Sequence, residues 1–228
     1  IKSRELSSLK LKITADGSSA IYNELLDEHY HSIHGAKQES LHVFIEKGLS
    51  FFSQSNPLKR EYYILELGFG TGLNCILSLL HNFHNEIKIY YNTIEPSILN
   101  FNTINKLNFN LSDDDLIFFK KIHQLNWDKE HEVQRNFFLT KFNTDLKSFK
   151  TNYSYDIIYF DAFAPRKQPH LWTIEVFKKI YNLTKKNGIL VTYCAKGQVR
   201  RDLESIGFNV ERIVGPPGKR EMLRATKR

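Results

Sequence analysis

Four acidic residues in this chain each stand at or just past the end of a short apolar run: Glu66, Glu95, Asp145 and Asp161. Between the first two lies Gly68-Phe69-Gly70-Thr71-Gly72-Leu73-Asn74, three glycines at alternate positions followed by the start of a helical pattern. In open α/β sheets ligands bind outside the carboxyl ends of the strands, so polar residues at those ends are the first candidates for chemistry. A glycine-rich strand-to-helix turn brings backbone amides close to a nucleotide-type ligand. Glu95, 23 residues after Gly72, is placed to accept hydrogen bonds from both hydroxyls of a ribose, and Asp145 from the amino group of a base. Asp161 ends the fourth run and faces the reactive end of such a ligand. A carboxylate there can hold an ammonium group by charge and then accept its proton, directly or through water. Each acid taken alone is also what caps a helix.

The elements that position these residues follow from the hydrophobic pattern. Strands are predicted at 62–67, 88–94, 137–142, 155–160 and 189–194, with helices near 73–83, 97–107, 173–183 and 197–206. This alternation implies a mainly parallel sheet covered on both faces. Tyr155 to Phe160 is almost continuously apolar and aromatic apart from Asp156, as an interior parallel strand should be. The stretch from Ser112 to Arg135 is too long for a tight connection and reads as an insertion with local helix. At the end of the chain, Phe208 to Val214 and Met222 to Thr226 are strands joined by Gly215-Pro216-Pro217-Gly218, so they must pair antiparallel. Residues 1–60 read as an N-terminal appendage and 61–228 as the main domain. Within the appendage we expect an edge strand over 1–13, a short helix from Asn23 to His34 and a strand from His42 to Ile45.

The composition restricts the partners. The chain has 228 residues, 41% of them hydrophobic, and a formal charge of +7. No apolar run approaches the roughly 18 residues that a membrane span needs, so a cytoplasmic protein with no membrane partner is expected. From Lys196 to Arg228 nine basic residues face four acidic ones, which places five of the seven excess charges in that segment. Such a local excess suits a phosphate-bearing partner, or simply a solvated surface. Cys75 and Cys194 are isolated and read as small apolar residues. His29, His31 and His34 are close together, but no Cys or acid at zinc-site spacing completes them, and no metal is expected. Tyr30, His31 and Trp172 are candidates for stacking on a base or for packing in the core.

The glycine spacing chooses among nucleotide ligands. No G-x-G-x-x-G dinucleotide fingerprint is formed; acid-x-G-x-G-x-G is similar to the first motif of class I S-adenosylmethionine-dependent methyltransferases. The closing hairpin is shared with those enzymes as well. We therefore expect an α/β, Rossmann-like fold: a mainly parallel seven-stranded sheet closed by an antiparallel hairpin, with a small N-terminal appendage. The electrophile in such enzymes is already activated, so the protein supplies alignment more than acid–base power. Phe163 and Pro165, beside Asp161, would wall the substrate.

The resemblance extends further. Glu66 to Asn74, Asp161-Ala162-Phe163-Ala164-Pro165 with Lys167, Pro169 and Trp172, Val199-Arg200-Arg201 with Gly207-Phe208, Lys219-Arg220-Glu221-Met222, and Asp27-Glu28-His29-Tyr30 with Glu39 together resemble the methyltransferase domain of the MnmC family of tRNA 5-methylaminomethyl-2-thiouridine biosynthesis proteins. That resemblance implies methyl transfer from S-adenosylmethionine to the aminomethyl nitrogen on carbon 5 of the wobble uridine. It assigns cofactor binding to Glu66, Gly68, Gly70, Gly72, Asn74, Glu95 and Asp145, and catalysis to Asp161. Glu39 would reach the cofactor or the substrate amine from the appendage. Tyr30, Phe163, Lys196, Arg200, Arg201, Lys219 and Arg220 would meet the tRNA anticodon stem-loop, the basic ones through its phosphates. Ala162 stands where many members carry Gly. Bifunctional members add an FAD-dependent domain; here no FAD and no oxidase activity are expected, which makes a functional link to the enzymes that install the aminomethyl group. The alternatives are a class I methyltransferase or an aminopropyltransferase acting on a protein or small-molecule amine, and a non-catalytic RNA-binding module.

Overall fold

The computed structural model of the protein describes residues 9–83 and 87–228. Its centre is an eight-stranded sheet built from β4 (Glu61–Leu67), β5 (Lys88–Ile94), β6 (Glu130–Gln134), β7 (Phe137–Phe142), β8 (Tyr155–Phe160), β9 (Thr184–Thr192), β10 (Phe208–Val214) and β11 (Glu221–Lys227), in the order β10-β11-β9-β8-β4-β5-β7-β6. The five strands from β9 to β7 are parallel, and β11 enters antiparallel between β9 and β10. Seven strands match the expected sheet. The eighth, β6, comes from the Ser112–Arg135 insertion and pairs antiparallel with β7 at the far edge.

Side-chain alternation along the central strands distributes the core over two layers. Ile64, Tyr91, Ile157 and Tyr159 face one layer; Leu65, Leu67, Ile158 and Phe160 face the other. The first is covered by α1 (Ala36–Ser40, Leu41–Ser50 and Phe51–Ser55, one continuous helix whose central ten residues are π-wound), α2 (Leu73–Asn82) and α4 (Asp113–Gln124). The second is covered by α5 (Ile174–Leu183) and α6 (Gly197–Ser205). At Gly48 α1 lies so close to the sheet that a Cβ would sit 3.2 Å from Val191 and 3.3 Å from Tyr159. The strand ends therefore open on the side where the loops after β4, β5, β7 and β8 converge.

The N-terminal part differs from expectation. Asn23 to His34 is not a helix: Oδ1 of Asn23 accepts from the amides of Leu25 and Leu26, Asp27 takes φ +47°, and the chain turns back so that His29 pairs with Tyr22. The result is a small antiparallel sheet of β1 (Leu9–Ile13), β2 (Ser19–Asn23) and β3 (Glu28–His29). Residues 1–8 of the expected edge strand lie outside the described residues; β1 is an edge strand. His42 to Ile45 is helical, not extended, because this short apolar run is one face of α1, with Val43 and Phe44 buried on the sheet. The helix expected over 97–107 contracts to α3 (Phe101–Ile104), capped by Asn100. Burial opposes ionisation of Asp16, yet bonds from Ser18, Thr14 and the amide of Gln38 outweigh it and hold its pKa at about 2. That carboxylate pins the β1–β2 turn to the start of α1.

Candidate active site

The loop after β4 is built from residues that other side chains could not replace. Gly68 has φ +93°, and a Cβ on it would lie 3.0 Å from the carbonyl oxygen of Asp161. A Cβ on Gly70, at φ +49°, would lie 3.2 Å from the ring of Tyr30. Backbone thus approaches backbone and ring at distances only glycine permits. Gly72 opens α2 and backs onto Phe69 and the ring of His123, away from the ligand side.

These loops surround a cleft of about 1280 Å³, lined by Gly68, Gly70, Asn74, Glu95, Asp145, Asp161 and Phe163 from the sheet side, and by Tyr30, His31 and Glu39 from the N-terminal segment. Three contacts fasten that segment over it. Glu28 pairs with Arg166 at 3.2 Å, Asp27 pairs with Lys167 at 2.9 Å, and the Tyr30 and Phe163 rings meet edge to face at 4.9 Å. His31 lies in the wall, with Nε2 2.6 Å from the Thr71 hydroxyl; burial drives its pKa down to about 4, so it is neutral at neutral pH.

Asp161 lies at the floor. Nδ2 of Asn74 donates to its Oδ2 at 2.7 Å. Burial raises its pKa to about 7; Asn74 and the Lys219 ammonium work against that rise, whereas the Glu39 carboxylate adds to it. Glu39 is buried, accepts from the Ser32 amide at 2.9 Å through Oε2, and pairs through Oε1 with Lys219. The Lys219 ammonium sits 3.9 Å from the centre of the Tyr193 ring, and the Tyr193 hydroxyl donates to the Ala162 carbonyl at 2.9 Å.

The acids divide by position. Glu95 receives the amides of Gly70 at 3.0 Å on Oε2 and Ser97 at 2.7 Å on Oε1. Burial raises its pKa, against the pull of those two bonds. Asp145 is exposed at the rim and caps its own turn by accepting from the Ser148 amide at 2.7 Å. The Lys179 ammonium, from α5, secures that turn by donating to the carbonyls of Leu146, Lys147 and Phe149. Glu66 does not line the cleft. It is fully buried beneath it, clustered with the side chains of Asn74, Tyr91 and Thr93. Burial pushes its pKa well above the ordinary carboxylate value.

The basic residues are dispersed. Lys196 and Lys219 line the cleft, and Arg220 lines a shallow depression beside it with Pro165 and Tyr193. Arg200 and Arg201 lie on α6, engaged with Glu204 at 3.1 Å and Gln198 at 2.8 Å, and do not line the cleft. Trp172 is a core residue: it packs on Phe160 and Phe177, and its Nε1 donates to the Phe163 carbonyl at 2.8 Å, fixing that loop. Two residues of the site were overlooked in the sequence. Tyr193 directly follows β9, which ends at Thr192, whereas the strand predicted over 189–194 enclosed it and hid it from the strand-end rule. Lys179 has no sequence signal, because its role depends on three carbonyls more than 25 residues away.

The residues present fit S-adenosylmethionine. Glu95 offers two carboxylate oxygens that retain accepting capacity beside their single amide bonds. The glycine loop leaves a cradle that side chains would fill, and Asp161 and Glu39 supply negative charge for a cationic sulfur. Among the described residues no group of three or more His, Cys, Asp or Glu could hold a metal ion, and no helix is long and apolar enough to cross a membrane.

Comparison with known proteins supports the fold. The crystal structure of MNMC2 from Aquifex aeolicus superposes with a TM-score of 0.80 at 23% identity, over 96% of this chain and 70% of that one. The tRNA 5-methylaminomethyl-2-thiouridine biosynthesis bifunctional protein MnmC of Pseudoalteromonas atlantica is 27% identical over 96% of the chain and 33% of the relative. That of Leptospira interrogans is 30% identical over 88% and 33%. The chain thus spans about a third of the length of these MnmC relatives. The profile of the S-adenosyl-L-methionine-dependent methyltransferases matches residues 110–228, more than half of the sequence, and the chain belongs to that family.

Proposed function

We propose that the protein methylates the aminomethyl nitrogen on carbon 5 of the wobble uridine in tRNA. The observation that carries this reading is Asp161: a carboxylate in the cleft floor, oriented by Asn74, with burial setting its pKa at about 7. A base poised near the working pH both attracts an ammonium and takes its proton. S-adenosylmethionine, when bound, supplies a methyl group on a positively charged sulfur. Glu95, Asp145 and the cradle left open at Gly68 and Gly70 would hold its nucleoside, while Asp161 and Glu39 hold the substrate ammonium.

The acceptor arrives protonated. Asp161 accepts one proton, which leaves a nitrogen lone pair. The lone pair would then be free for the methyl group that bound S-adenosylmethionine supplies, and the proton would pass from Asp161 to solvent. Tyr30 and Phe163 form an aromatic wall at the reactive end, suited to a flat base turned out of a single-stranded loop. Lys196, Arg200, Arg201, Lys219 and Arg220 supply positive charge around this end of the sheet for the anticodon stem. The names of the MnmC relatives support the substrate assignment. On this reading the acceptor already carries its aminomethyl group when it reaches the cleft.

The test is methyl transfer by the purified protein, with S-adenosylmethionine, to tRNA from cells lacking the protein, followed by nucleoside mass spectrometry. The aminomethyl nucleoside should be replaced by its methylaminomethyl form. No conversion, by a preparation that binds S-adenosylmethionine, would overturn the assignment.

A further inference from the structure

The Lys219 ammonium is held as a ligand would be. It pairs with a buried carboxylate, Glu39, lies 3.9 Å from the centre of the Tyr193 ring, and lines the same cleft as Asp161. A negative charge beside an aromatic face is the environment that recognises alkylammonium groups. Tyr193 is fixed for this role because its hydroxyl is committed to the Ala162 carbonyl.

The backbone beneath Lys219 is anchored without that side chain. The Lys219 amide donates to the Pro216 carbonyl at 2.9 Å, the amide of Gly215 bonds to the Arg220 carbonyl at 3.2 Å, and His42 bonds through Nε2 to the Val214 carbonyl at 2.8 Å. Gly218 lies against the ring of His34, where a Cβ would come within 2.2 Å of Cδ2. The Lys219 side chain itself is 32% exposed, so its four-carbon stem has room to swing out while the turn stays in place.

We propose that Glu39, Tyr193 and Asp161 form a primary-ammonium site, that the Lys219 ammonium fills it as an internal surrogate, and that the acceptor amine enters by displacing Lys219. The proposal rests on the reading of the cleft as an amine methylation site and deepens it. Exchange of one primary ammonium for another preserves the charge facing Glu39 and Asp161, so entry leaves no uncompensated carboxylate. An acceptor with a hydroxyl in place of the amine cannot make this exchange, which gives the site selectivity for nitrogen.

The probe is ethylammonium chloride, titrated into the purified protein against potassium chloride as an ionic-strength control and followed by NMR. Removing an internal competitor raises the fraction of competent sites, so Lys219→Ala should bind ethylammonium at least about tenfold more tightly than the unaltered protein. Lys219→Met, which keeps the apolar stem, should do the same and serves if the alanine variant is unstable. Glu39→Gln combined with Lys219→Met should remove the gain, and Tyr193→Phe, which keeps the ring, should retain it. Unchanged ethylammonium affinity in both Lys219 variants would overturn the proposal. Because this titration needs neither tRNA nor S-adenosylmethionine, a failure of the tRNA assignment is read separately, from the transfer assay.

Discussion

Asn74 and Asp161 are 87 residues apart, yet the amide of one donates to the carboxylate of the other at 2.7 Å. The bond joins the first turn of α2, just behind the glycine loop, to the end of β8. It couples the part of the cleft that would hold a nucleoside to the part that would handle the amine. The bond favours the charged form of a carboxylate that burial otherwise neutralises, so Asn74 holds the Asp161 pKa below where burial alone would put it.

Transfer should therefore depend on pH in a way that Asn74 controls. Activity should rise as Asp161 ionises near pH 7. Asp161→Ala should lower kcat by about a hundredfold or more, the usual range for loss of a positioned base, with S-adenosylmethionine binding retained. Asn74→Ala removes a bond to the ionised form, so the rising limb of the pH–rate profile should move to higher pH. A profile that stays in place would remove Asn74 from this role.

The same residue gives a stability signature with a definite sign. The Asp161 pKa is raised on folding, to about 7. The unfolded chain therefore releases this proton first, and the folded state loses stability as pH climbs from about 4 to about 7. Below that window the group is protonated in both states and costs nothing. The melting temperature of Asp161→Asn, relative to the unaltered protein, should increase across the window and level off above it. A difference independent of pH would contradict the assignment.

The glycine loop can be tested by a single methyl group. Gly68→Ala places a Cβ 3.0 Å from the Asp161 carbonyl oxygen in a left-handed conformation, a backbone penalty of about 1–2 kcal/mol before any clash. We expect a lower melting temperature and weaker S-adenosylmethionine binding, measured by calorimetry. Retained affinity would place the ligand away from this loop.

Lys179→Met should act through Asp145. It removes the ammonium that gathers the carbonyls of Leu146, Lys147 and Phe149, so the turn that presents Asp145 loses its anchor. The S-adenosylmethionine dissociation constant should rise several-fold, whereas kcat at saturating cofactor should change little. A reduced kcat at an unchanged dissociation constant would show that the turn serves the chemical step instead.

Arg200→Ala with Arg201→Ala tests the RNA reading. Binding of tRNA should weaken, and its logarithmic salt dependence should become shallower by about one to two units if both guanidinium groups neutralise phosphates. An unaltered slope would assign α6 to the solvated surface, where Arg200 already pairs with Glu204.

The sequence by itself determined the central sheet, the glycine loop and the strand-end acids. Strand periodicity, strand-to-helix alternation and glycine spacing are local patterns, and β5, β7, β8 and β10 lie where those patterns put them. Local pattern failed over Asn23–His34 and His42–Ile45, where short mixed or apolar runs suit helix or strand equally and packing decides between them. Only the tertiary structure separated acids that look alike in the chain: Glu66 is sealed beneath the cleft, Glu95 is held by two amides, and Asp145 stands at the rim. It alone placed Lys219 on Glu39, 180 residues away, and over Tyr193. The physical reason is that burial and long-range charge depend on which strand ends meet in space, and no spacing within one segment records that.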